Sequence, residues 1–386
     1  MRNSNKDYLW LIFFLIIFIN GFEAGGYQAS LLSIGESYDL STTSKGIFAS
    51  IELFATMLAP LFLGAWADRN SKLKCIRILL FIQLIFSALV LLVTSRIIFA
   101  LGIFFLGLTT SALQFISIAA LAEVYPNSSK RKIGFMTSMY AFGAFIAPLI
   151  VSAYLKMGFG WRTLFLLLTI TSTIALIGLL RSADGTREKI DNMDIDDATT
   201  GTFIFGAILL LCIIMCIYVG YENGFAFFID TLFAEELGSG IGKYALSIFW
   251  IIMIPSRVMA GYLGKHSHKI LTGAIIAIPV ITIIISRLNT DIPVLLLCIP
   301  LGFACGAIYP SVLNIAMPLA GNHKATATGM ITTATGIGGV VFTALTGIIG
   351  DRWGLRTAIL ILSAFFAISL ISVLLLKQYS HNTEST

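Results

Sequence analysis

The sequence predicts an all-α membrane protein with twelve transmembrane helices in two pseudo-symmetric six-helix bundles. Three observations carry this: apolar runs of about 20 residues that recur along the chain, a one-sided distribution of Lys and Arg, and an internal repeat with a period of about 195 residues.

The apolar runs come first. Of the 386 residues, 57% are hydrophobic and 12% are charged, whereas a soluble domain carries roughly 25% charged residues. This composition excludes a water-solvated globular enzyme. A helix of about 20 apolar residues spans a hydrocarbon core of roughly 30 Å. Such runs fall at approximately 8–30, 45–67, 75–94, 97–121, 133–155, 162–180, 202–228, 242–264, 270–287, 293–318, 326–349 and 355–377.

Orientation follows from the basic residues, because short loops rich in Lys and Arg stay in the cytoplasm. Arg69, Lys72, Lys74 and Arg77 in one loop and Lys130, Arg131 and Lys132 in another set both termini inside. The expected location is therefore a bacterial inner membrane, crossed many times. The net charge of +5 is a topology signal and implies no nucleic-acid partner. Met1–Asp7 reads as a short cytoplasmic tail, and no small-residue cleavage site follows the first apolar run, so the first helix is expected to stay in the protein. Cys75, Cys212, Cys216, Cys298 and Cys305 fall within helices or next to the cytoplasm and read as core thiols. Cys212 and Cys216 stand one helical turn apart, which suits packing better than a metal site.

The repeat divides the chain. Gly21-Phe22-Glu23-Ala24-Gly25 has a counterpart in Gly220-Tyr221-Glu222-Asn223-Gly224. Gly134 and Gly143 match the spacing of Gly329 and Gly338, Gly160-Trp161-Arg162-Thr163 matches Gly354-Leu355-Arg356-Thr357, and Gly64 matches Gly261. The order is the same in both halves. The predicted organisation is an N-terminal bundle at 1–181, a cytoplasmic linker at 182–200, and a C-terminal bundle with a short tail at 201–386. The linker carries Asp184, Glu188, Asp191, Asp194, Asp196 and Asp197, which suit a solvated connector and leave a regulatory patch open.

Several motifs resemble the major facilitator superfamily, over nearly the whole chain. Gly64-Ala65-Trp66-Ala67-Asp68-Arg69, followed by Lys72 and Lys74, is similar to its signature loop between helices two and three. Glu123-Val124-Tyr125-Pro126 and the basic cluster after it resemble the end of its helix four. Gly143-Ala144-Phe145-Ile146-Ala147-Pro148 resembles its helix-five motif, and Gly160-Trp161-Arg162 its entry to helix six. Two departures subtract from a drug-efflux reading: Ala147 stands where a glycine precedes the helix-five proline, and Ile103 where many exporters carry arginine. Tyr218-Val219-Gly220-Tyr221-Glu222-Asn223-Gly224, Ser247-Ile248-Phe249-Trp250 and Arg257 resemble more weakly the fucose and hexose proton-symporter branch.

The resemblance implies that helices one, four, seven and ten line a central cavity, and here these helices carry polar residues at helical spacing. Asn20, Glu23 and Tyr27 share one face of helix one, and Tyr218 and Glu222 form an i, i+4 pair in helix seven. Thr110, Gln114 and Ser117 line helix four, and Cys305 and Tyr309 mark helix ten. Interhelical glue is one reading of each group; their convergence favours a binding site. The substrate-binding candidates are Asn20, Tyr27, Gln114, Tyr218, Tyr221, Asn223, Trp250 and Tyr309. Glu23 and Glu222 are the proton-coupling candidates, because a carboxyl at membrane depth is costly and is usually kept for a pathway or proton relay. The alternative for each is a neutral acid bonded to a carbonyl. Aromatic Phe225, Phe227 and Phe228 around Glu222, against Ala24, Gly25 and Gly26 after Glu23, rank Glu222 as the principal proton site.

No Lys or Arg falls near the middle of the four cavity helices, so a neutral or cationic substrate is expected. Arg257 in helix eight is the nearest exception. Asp68, Arg69, Glu123 and Arg131 resemble the superfamily's cytoplasmic gating latch, which is one-sided here because Lys265 stands where Asp68 would correspond. The glycines of helices five and eleven, including Gly336, Gly338 and Gly339, are further gating candidates. The expected activity is secondary active transport: proton-coupled uptake of a small neutral polar solute such as a sugar, by a monomeric symporter using alternating access. Proton-coupled efflux of an amphipathic cation is the alternative. No metal cluster, nucleophile elbow or phosphate loop supports an enzyme, no cofactor is expected, and His266, His268, His323 and His381 fall in loops or the tail.

Overall fold

The computed structural model describes residues 9–125, 129–182, 203–321 and 324–384. Nearly all of them are helical, and no strand occurs among them. The helices are α1 (Leu9–Tyr38), α2 (Thr42–Arg69), α3 (Lys72–Leu92), α4 (Arg96–Val124), α5 (Ser129–Lys156), α6 (Thr163–Ser182), α7 (Phe205–Glu236), α8 (Gly242–Tyr262), α9 (Ser267–Arg287), α10 (Asp291–Leu319), α11 (Lys324–Trp353), α12 (Leu355–Ala364) and α13 (Phe366–Glu384). Twelve spans among the described residues are long and apolar enough to cross a membrane; α12 and the start of α13 together form the twelfth, Leu355–Leu376. The predicted count and order hold. The predicted acidic linker lies almost wholly outside the described residues.

Two helices run well past their apolar windows. α1 was expected to end near 30 and α7 near 228; they end at Tyr38 and Glu236. The added turns hold Ser33, Glu36, Asp230, Thr231, Glu235 and Glu236. Hydropathy marks the part of a helix that meets lipid, whereas these polar turns continue the helix on backbone bonds and side-chain pairing.

The described residues cluster into two compact units. The first comprises 1–34 and 51–195, the second 35–50 and 196–386. The boundary thus differs from a simple split at the linker, because the end of α1 and the start of α2 group with the second unit. Within that unit Lys45 Nζ pairs with Glu235 Oε1 at 2.8 Å. Asp351 accepts from Thr43 Oγ1 at 2.8 Å and from the Thr42 N–H at 3.2 Å, which satisfies a backbone donor that the first turn of α2 leaves unpaired. Lys243 and Asp230 form a buried ion pair between α8 and α7.

Some of the repeated glycines share a role in the two units, whereas Gly64, Gly160, Gly261 and Gly329 have open space around them. In the first, a Cβ on Gly21 would overlap the Tyr140 carbonyl of α5, a Cβ on Gly25 would lie 2.5 Å from the Ala144 carbonyl, and one on Gly143 would overlap the Phe18 carbonyl of α1. In the second, Gly220 and Gly224 of α7 stand against Phe342 and Thr346 of α11, and Gly338 of α11 stands against the Cys216 carbonyl. The α1/α5 and α7/α11 crossings are therefore backbone-to-backbone, a small-residue packing mode typical of membrane helices. The Gly21/Gly220, Gly25/Gly224 and Gly143/Gly338 correspondences of the repeat mark two equivalent helix crossings.

Candidate functional site

Each unit contains a buried polar cluster that includes acids named from the sequence. In the first, Asn20, Glu23 and Tyr27 face inward from α1 with exposures of 0%, 2% and 1%. Asn20 Nδ2 donates to the Thr110 carbonyl of α4 at 2.9 Å. The Thr110 hydroxyl donates to the Leu106 carbonyl at 2.7 Å and lies beside the Glu23 carboxyl. Asn20 Oδ1 and Glu23 Oε2 have no hydrogen-bond partner among the described residues.

A residue that the sequence reading passed over completes this cluster. Glu52 of α2 is buried, interacts electrostatically with Glu23, and both act on the Tyr27 phenol. Its place is made by Gly107 of α4, where a Cβ would lie 2.6 Å from the Glu52 carbonyl and 3.0 Å from its Cγ. One turn further along both helices, Ser111 Oγ donates to the Thr56 carbonyl at 3.0 Å. The signal was present in the sequence: Glu52 is a carboxyl inside an apolar run, which is what singled out Glu23 and Glu222. The search was confined to the four helices that the family resemblance assigns to a cavity, and α2 is not among them.

In the second unit Tyr218 and Glu222 stand one turn apart on α7, both buried. The charge of Arg257, half-buried on α8, acts on Glu222, on Tyr218, and on Cys305 and Tyr309 of α10. The sequence therefore grouped Tyr218, Glu222, Cys305 and Tyr309 on shared surroundings, and Arg257 is their common neighbour.

Other candidates are engaged elsewhere. The Tyr221 hydroxyl is 2.5 Å from Thr282 Oγ1 of α9, and its ring meets Phe366 edge-on at 5.5 Å. Asn223 Nδ2 donates to the Val219 carbonyl of its own helix at 2.9 Å. Trp250 is buried beside Phe249, with ring centroids 6.0 Å apart. Gln114 is half-buried, one turn beyond Thr110. Among the gating candidates, Arg69 is exposed at the last residue of α2. Asp68, Glu123 and Arg131 lie on α2, α4 and α5, and their side chains are outside the described residues. Of the glycine candidates, Gly338 is committed to the α11/α7 crossing.

Comparison with known proteins decides the family. The family model of the Major Facilitator Superfamily matches residues 13–343. The chain belongs to the major facilitator superfamily. It is accordingly a multi-pass membrane transporter of small molecules rather than an enzyme. The glucose/mannose transporter GlcP of Bacillus subtilis (strain 168) is 20% identical over 387 aligned positions, covering 94% of this chain and 91% of that protein. The glucose transporter GlcP of Staphylococcus epidermidis is 22% identical over 190 positions; that match covers 49% of this chain and less than half, 42%, of the relative. Among solved structures, a bacterial homologue of the human lysosomal transporter Spinster superposes with a TM-score of 0.81 at 14% identity, covering 98% of each chain. The nucleoside transporter NupG gives 0.76 at 16% identity, with 95% and 99% covered. The transporter FucP gives 0.60 at 17% identity, with 97% and 99% covered. These superpositions establish the shared fold.

Proposed function

We propose that this transporter takes up a small neutral polar solute, of the hexose class, with protons, by alternating access of its two halves in the cytoplasmic membrane of a bacterium. The observation that carries the reading is that Arg257 stands near enough to Glu222 for its charge to act on the carboxyl. Opposite charges on these two groups offset each other, so the surroundings of buried Tyr218 and exposed Tyr309 are polar with little net charge to offer an ionic substrate. Hydroxyls and amides on aromatic surfaces suit a sugar, whose rings stack and whose hydroxyls both donate and accept. The similarity to GlcP along 94% of the chain points to the same substrate class.

In this reading proton movement through a buried carboxyl at membrane depth, Glu23 or Glu222, drives accumulation. Asp68 and Arg69, with Glu123 and Arg131, control opening on the cytoplasmic side, where both termini lie, and the monomer is the working unit. Ligand binding stabilises the folded state by mass action. Thermal unfolding of the purified protein should therefore be shifted upward by glucose or mannose and unmoved by hexose phosphates, dicarboxylates and hydrophobic amines. A shift with the amines alone would favour export of amphipathic cations instead.

A further inference from the structure

We propose that Glu52 is the second half of the coupling site: Glu23 and Glu52 hold a single proton between them. This rests on the proton-coupled reading above and names the residues that would perform it.

The two carboxyls come within electrostatic reach of each other because of how α1, α2 and α4 pack. Gly107 lets α2 approach α4 until Glu52 touches it. Three residues on, Thr110 receives Asn20 at its carbonyl and has Glu23 beside its hydroxyl. Gly107 and Thr110 are about one turn apart on α4, so both acids converge on one turn of it. The titratable groups that act on the pair are each other and Tyr27. Among the described residues no basic side chain acts on them, in contrast to Glu222 with Arg257.

Two buried carboxylates with no cation cannot both be ionised: each loses its hydration, and each repels the other. The hydrogen-bond inventory agrees. Asn20 Oδ1 and Glu23 Oε2 are buried acceptors without a donor among the described residues, and an ionised Glu52 adds only acceptors. A proton on either acid turns one acceptor oxygen into a donor and supplies what the cluster lacks. When the cluster opens to a more alkaline compartment the proton leaves as hydronium, the pair is left doubly charged, and that state must take up another proton before the cluster is buried again. This is the asymmetry that coupling requires.

The test uses full-length protein in proteoliposomes, with radiolabelled glucose. Wild type, Glu52→Gln and Glu52→Met are assayed for accumulation driven by a pH gradient and for exchange of labelled against unlabelled sugar at equal pH. Glu52→Met guards against misfolding, since an apolar side chain of similar size tolerates burial. The proposal expects both Glu52 variants to lose at least tenfold in accumulation while exchange stays within about threefold. Accumulation at wild-type level by either Glu52 variant overturns the proposal and leaves proton-coupled uptake standing. Absence of gradient-driven accumulation in wild type removes the proton-coupled reading and the pair with it. Accumulation driven by a sodium gradient at equal pH would place a metal ion in the cluster and also overturn it.

Discussion

Asn20 of α1 donates to the main-chain carbonyl of Thr110 in α4 across 2.9 Å, in a part of the first unit where Asn20 is wholly buried. The bond fixes the face of α1 that carries Glu23 and Tyr27. Asn20→Leu removes it, and a buried hydrogen bond of this kind contributes about 1 kcal/mol net. Thermal unfolding of the variant in detergent should shift down by a few degrees. An unchanged midpoint would show that α1 is held by its glycine crossing alone.

The glycine crossings predict a sharp contrast between positions. Gly143→Leu and Gly338→Leu force side chains into the Phe18 and Cys216 carbonyls, so neither variant should yield a monodisperse protein. Gly273→Ala has open space around it and should behave as wild type. Size-exclusion profiles of the three variants decide the matter.

The Lys243–Asp230 pair is buried, with side-chain exposures of 11% and 4%. Removing one partner of such a pair strands the other, at a cost of about 3–5 kcal/mol, whereas replacing both with apolar residues can be nearly neutral. Lys243→Met and Asp230→Leu should each lower the unfolding midpoint strongly, and the double variant should recover most of the loss. Additive losses would show that the pair is not an energetic unit.

The twelve spans were legible because each crosses lipid and must be apolar for about 20 residues. The ends of α1 and α7 were not, since residues such as Glu36 and Glu235 extend a helix without extending its hydropathy signal. The glycine repeat was legible as a pattern, and its mechanical meaning came only from seeing Gly143 on Phe18 and Gly338 on Cys216. Of the two polar clusters only Glu52 was missed. It is an acid in an apolar run, as Glu23 and Glu222 are, and Arg257 was legible as a cation near mid-helix, but that α2 brings Glu52 to α4 and α8 brings Arg257 to Glu222 no local pattern reveals. Tyr221 is the converse: an aromatic beside Glu222 in sequence that points to Thr282 in space.

Asp68 lies at the charged end of α2 and belongs to a motif that resembles the superfamily's latch. Asp68→Asn is expected to slow transport severalfold while substrate affinity changes by no more than a few fold. A large loss of equilibrium binding would make Asp68 a site residue instead.

The account as a whole is tested most directly by wild-type protein reconstituted in proteoliposomes with a pH gradient, acidic outside, and labelled glucose or mannose at equal electrical potential. Proton-coupled uptake predicts accumulation above equilibrium that collapses when a protonophore dissipates the gradient. Label that only equilibrates, with no response to the gradient or the protonophore, would contradict it.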